Sequence, residues 1–159
     1  MKKLFCLISV LFVTGCLYAQ SADVVTSILE TEEVNYGQVC YLSAIHQNLI
    51  EEDASYSDAV KALYDEGQLP ELVDPYSIVY MANLSFIYMQ IWPEVKGGLM
   101  YRITNGSPRY AFKQLSADGV LPPMADPKAI VSGREALNIL TACMSTYGSV
   151  EEGMGMEIK

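Results

Sequence analysis

Histidine is nearly missing from this chain: there is one in 159 residues, His46, beside a single tryptophan, Trp92. One imidazole excludes the H-E-x-x-H zinc arrangement, and neither Cys-x-x-Cys nor G-x-S-x-G occurs. A serine or cysteine nucleophile would need His46 brought to it by the fold, because no sequence neighbour supplies a base and its orienting group. On the Leu42, Ile45, Leu49 side of a helix, His46 reads instead as a packed or boundary residue. There is no glycine-rich phosphate loop, and Met154 and Met156 read as part of a tail rather than as copper(I) ligands. The expectation is a protein that is not an enzyme and holds no metal and no cofactor. Bases are scarce as well, 10 against 19 acids for a net charge of −9, which makes nucleic acid a poor partner. After residue 20 no stretch is long and apolar enough to cross a bilayer; Ile78 to Trp92 comes closest and carries Asn83, Ser85 and Gln90.

What is present begins with an address. Lys2 and Lys3 precede an apolar run from Leu4 to Val13, too short for a stable membrane anchor and suited to the core of a secretory signal. Two processing sites follow. Val13-Thr14-Gly15-Cys16 is similar to a bacterial lipobox, which would acylate Cys16 and leave residues 1–15 as the signal. Leu17-Tyr18-Ala19 is an ordinary small-residue site, which would remove residues 1–19. The expected product is exported, to a periplasm, an outer-membrane lipid anchor or the medium, and meets a membrane only through a lipid on Cys16. It keeps Cys40 and Cys143, a disulfide candidate closing a loop of about a hundred residues, for which the chain-entropy model gives roughly 4 to 5 kcal/mol. The alternative is that both are small buried apolar residues.

Without Lys2 and Lys3 the body has 8 bases against 19 acids, a net of −11. The charge is polar along the chain. From Asp23 to Glu94 there are thirteen acids and one base, Lys61, whereas Lys96 to Arg134 holds six bases against Asp118 and Asp126. Such polarity allows one copy's basic centre to meet another copy's acidic helix, and a solvated acidic surface is the plainer meaning.

Residues 20–148 are enough for a single domain, with 149–159 a flexible tail. Val25, Leu29, Tyr36, Val39, Cys40, Leu42, Ile45 and Leu49 predict a long helix from Ser21 to about Ile50, weakened or bent at Gly37. Ser55 and Asp58 cap a short second helix that Gly67 terminates. From Tyr76 the apolar period shortens to two, predicting strands over Tyr76 to Trp92 with a break at Ala82-Asn83. Leu99 to Thr104 makes a third strand, and Asn105-Gly106 a hairpin returning past Arg109. Ser132 and Glu135 open a C-terminal helix ending at Gly148. The fold class read from these signals is α+β: a long N-terminal helix packed on a three- or four-stranded antiparallel sheet, with a C-terminal helix.

Leu63 to Pro75 and Leu115 to Pro127 align without a gap, sharing Leu, Gly, Leu, Pro, Asp and Pro in place. Each copy is a helix end, a glycine stop and a proline turn, and two copies fall short of a repeat architecture. With Thr31-Glu32-Glu33-Val34-Asn35-Tyr36, then Gly67 to Tyr76, Pro93 to Gly98 and Tyr101 to Arg109, the order resembles the globular heads of type IV pilins and type II secretion pseudopilins. Their pattern is T-A-E-x-x-Y, then G-x-L/I-P-x-x-x-D-P, then P-x-x-x-x-G before a tight G-x-x-R turn. The resemblance covers roughly residues 24 to 110, and lacks the prepilin's glycine and long Phe-rich membrane helix. It implies a head without its polymerising stalk, with a structural or adhesive role and a protein partner or self-association. Tyr76, Tyr80, Tyr88, Trp92, Tyr101 and Tyr110 concentrate in the expected sheet; an exposed subset would make a binding surface, and a pocket among them would make a small-ligand module of the periplasm or a lipid anchor.

Overall fold

Residues expected as strands form the central helix of the molecule. The computed structural model describes residues 23–95, 97–104 and 106–154, so the signal segment and Cys16 lie outside the described residues. Among the described residues there are seven helices and no strand, which replaces the expected α+β fold by an all-helical one. We number them α1 (23–30), α2 (Tyr36–His46), α3 (Tyr56–Asp65), α4 (Met81–Met89), α5 (Leu99–Ile103), α6 (Pro108–Ala117) and α7 (Gly133–Met154). None is long and apolar enough to cross a membrane.

The misreading of 76–92 has a physical cause. A helix with one dry face shows a 3.6-residue stripe, but α4 packs against α2, α6 and α7 and buries Met81, Leu84, Ser85, Ile87, Tyr88 and Met89 all round. With no polar face there is no stripe, and the aromatic and β-branched residues that remain carry strand propensity. α2 is similar, with every residue from Gly37 to Ala44 buried. The long first helix is in fact two: residues 31–35 leave the helical path, and Asn35 restarts it with a capping box to Gln38. The helix α3, its Ser55–Asp58 box and its stop at Gly67 (φ 72°) are as expected. The C-terminal helix has the Ser132–Glu135 box and runs past Gly148 to Met154.

Three extended valines tie the helices together. Val34, Val79 and Val131 are wholly buried, and each stands just before the N-cap of α2, α4 or α7. The N–H of Val79 donates to the Val34 carbonyl (3.0 Å), and that of Val34 to the Val131 carbonyl (2.9 Å). Single antiparallel bridges, Asn35 with Ile78 and Tyr80 with Ile130, flank this seam.

Around it the chain is built twice. A first unit holds α2, α3 and the turn through Ile78; a second holds α4, α5, α6 and the turn through Ile130. Backbone bonds repeat in register: Tyr36 and Gly37 N–H donate to the Ser77 and Pro75 carbonyls, and Met81 and Ala82 N–H to those of Ala129 and Pro127. Gly67 and Gly119 stop α3 and α6 with φ of 72° and 75°, and the carboxylates of Asp74 and Asp126 each accept the N–H two residues on. The echo seen in sequence is therefore the end of a longer structural duplication. Its first parts escape alignment because α5 and its flanking turns lengthen the second unit: Tyr36 and Met81 start their helices 45 residues apart, Tyr56 and Pro108 52 apart.

Candidate functional site

The six aromatic residues singled out in sequence are not one surface. Tyr88 and Trp92 are core, Tyr101 and Tyr110 are half-buried, and Tyr76 and Tyr80 are exposed. The Tyr88 hydroxyl donates to the Ala136 carbonyl (3.2 Å), and burial raises its pKa. Trp92 lies between His46 and Tyr147, its ring centroid 5.5 and 5.7 Å from theirs. That places the lone histidine at the end of α2 against an aromatic stack.

Only Tyr80 of the six reaches a groove of about 840 Å³ between α4, α6 and the turn that precedes α7. Tyr80, Ala82 and Asn83 from the start of α4 form one wall; Pro108, Arg109, Phe112 and Lys113 from α6 form another; Pro127 and Lys128 close the third side. Helical periodicity explains the α6 wall, since 108, 109, 112 and 113 share a face, while Ala111 and Leu115 point into the core. The Asn83 side-chain amide is committed inward, donating to the Tyr36 hydroxyl. The lining is thus mainly apolar, with three cations at its edges.

Among the described residues no acid forms an ion pair with those cations. Among the described residues the one ion pair is Lys61 with Asp65, on α3. Lys113 lies over the Tyr110 ring, 5.5 Å from its centroid, and Arg109 and Lys128 form no ion pair among the described residues.

The first unit is an internal control for this groove. At the equivalent place Gly37 lets Tyr56 and Pro75 close in: a Cβ on Gly37 would come within 2.5 Å of Tyr56 Cβ and 3.1 Å of Pro75 Cβ. In the second unit the same positions are Ala82, Pro108 and Pro127, and the crevice stands open. Ser57 and Tyr76 become Arg109 and Lys128, and the Lys61–Asp65 pair becomes Lys113 with Ala117.

The basic stretch is legible in the sequence but the groove is not, because Tyr80, Pro108 and Arg109 fall in the expected strands and their return, and Ala82 and Asn83 at the expected break between strands. Extending the Leu63/Leu115 alignment in both directions would have set Ser57 against Arg109 and Tyr76 against Lys128. Cys40 and Cys143, the disulfide candidates, are buried free thiols on α2 and α7, and burial pushes each up to about 12. α4 packs against both helices. Among the described residues no group of three or more His, Cys, Asp or Glu could hold a metal ion. No protein-family model matches the chain, and no curated protein matches it.

Proposed function

We propose that this chain is an exported, non-catalytic binding module that acts through the groove between α4 and α6. The observation that carries the reading is an open, mostly apolar concavity ringed by Arg109, Lys113 and Lys128 on an otherwise acidic protein. Its size lies in the range of small-ligand sites. The signal-like first nineteen residues support export. The pilin-head resemblance implied a sheet, and the residues that would form it are helical, so the reading does not draw on it.

A fragment screen followed by amide chemical shifts tests the site. Hits should perturb Ala82, Asn83, Phe112, Lys113 and Lys128 together, and Ala82→Trp should remove them without lowering the melting temperature. Hits that gather elsewhere, for instance around Trp92 and Tyr101, would sink the assignment. Export is tested separately by mass spectrometry of the protein from its native host. The expected mature N-terminus is an acylated Cys16 or Gln20, and a cytosolic chain still carrying Met1 would overturn it.

A further inference from the structure

We propose that the ligand of the α4–α6 groove is a small amphiphile with an aliphatic body and an anionic head, a free medium- or long-chain carboxylate being its minimal form. The inference rests on the reading of the groove as the binding site and adds the chemistry of what enters it.

The body follows from what the groove lacks. A peptide brings a polar amide with every residue, and each amide that loses water needs a partner. This lining has few to give. Pro108 and Pro127 have no N–H, and the Ala82 N–H is already bonded to the Pro127 carbonyl (3.0 Å). The Lys128 N–H is held by the Asp126 carboxylate (2.9 Å), and the Asn83 amide is turned to Tyr36. Ala82, Phe112, the two prolines and the Tyr80 ring offer apolar surface, which a hydrocarbon chain can cover without itself needing hydrogen-bond partners.

The head follows from charge. At four equivalent positions the first unit carries Ser57, Lys61, Asp65 and Tyr76, neutral in sum, and the second carries Arg109, Lys113, Ala117 and Lys128, with three positive charges. The two units share their backbone bonding, so the difference is not demanded by the fold. Two of the cations are one helical turn apart on α6 and the third, Lys128, is on the turn that closes the third side, and none forms an ion pair among the described residues. An anionic head at the groove's rim is attracted by all three, and because Arg109 and Lys128 are exposed that attraction is screened by salt.

Isothermal titration with decanoate, 1-decanol and decyltrimethylammonium decides the question. Decanoate should bind at least about tenfold more tightly than decanol, the quaternary amine should not bind, and raising salt should weaken decanoate alone. Arg109→Gln with Lys128→Gln should bring decanoate down to the level of decanol, whereas Lys61→Gln, at the equivalent place in the first unit, should change nothing. Both variants alter exposed side chains, and unchanged thermal melting verifies their fold. Equal binding of decanoate and decanol, indifferent to the charge variants but abolished by Ala82→Trp, would overturn the anionic head and leave the groove as a site. Self-association or capture of an acidic peptide that Ala82→Trp abolishes, with no decanoate binding, would overturn the small ligand and likewise leave the site. No binding of any probe, with no shift at the groove amides, would remove both.

Discussion

The thiols of Cys40 and Cys143 are wholly buried, and that sets their chemistry. Removing a thiolate from water is costly, so both groups are held up to about 12 by burial, against an ordinary value near 8.5 in an open chain. A folded-state pKa above the unfolded one contributes stability that is complete below the unfolded value and is lost as pH rises toward the folded value. Urea denaturation should therefore give constant stability from pH 6 to 8 and a decline from about pH 8.5. Each thiol contributes a slope of up to about 1.4 kcal/mol per pH unit. The Cys40→Ala, Cys143→Ala double variant, though less stable throughout, should be flatter between about pH 8.5 and 9.5, before unfolded tyrosines ionise. Equal slopes in the two proteins would mean that the thiols are not buried as protonated groups. From sequence, only the presence of two cysteines in the body was legible. Whether they bond depends on how α2 and α7 are placed around α4, which no local pattern in the sequence encodes.

At the scale of elements, the legible parts are those whose polar groups are satisfied within a few residues. The Ser55–Asp58 and Ser132–Glu135 boxes, the stop at Gly67 and the turn at Asp74-Pro75 are local chemistry, and each stands where the sequence placed it. The buried helix α4 was illegible because its signal is tertiary: with neighbours on several sides, hydrophobic residues carry no period. Gly106 shows the same division, since it takes the left-handed turn expected of a hairpin (φ 73°) while the elements on either side are helices. Gly37, expected as a weak point or bend in a long helix, is instead a place where α2 closely approaches the start of α3 and Pro75. An alanine there needs Tyr56 and the Pro75 backbone to move apart, for which overpacking costs typically about 1 to 3 kcal/mol. Gly37→Ala should lose stability in that range. Gly148→Ala, inside α7 with open space at its Cβ, should gain up to about 1 kcal/mol from helix propensity. If both changes stabilise equally, the close contact of α2 with α3 is not present in solution.

For the whole molecule, a duplicated chain raises the question of whether its units fold apart. Solenoid-like stacks can unfold unit by unit, because each contacts only its neighbours. Here the geometry argues for one transition. The Val34 peptide belongs to the first unit, yet it accepts from Val79 of the second and donates to Val131 ahead of α7, so neither unit can leave without breaking the seam. Trp92 does the same at the far end of α4, where it touches His46 of the first unit and Tyr147 of α7. Its emission therefore reports on all three parts at once, while far-UV circular dichroism reports on every helix. The two signals should follow a single thermal curve. Val34→Ala removes buried methyl groups from the junction of three segments and should lower stability by roughly 1.5 to 3 kcal/mol. It should move both curves together by the same amount, because the loss is shared by every unit. Curves that separate, with fluorescence changing at a temperature where part of the helical signal persists, would mean that the units are joined only in series and that the valine seam does not hold them as one.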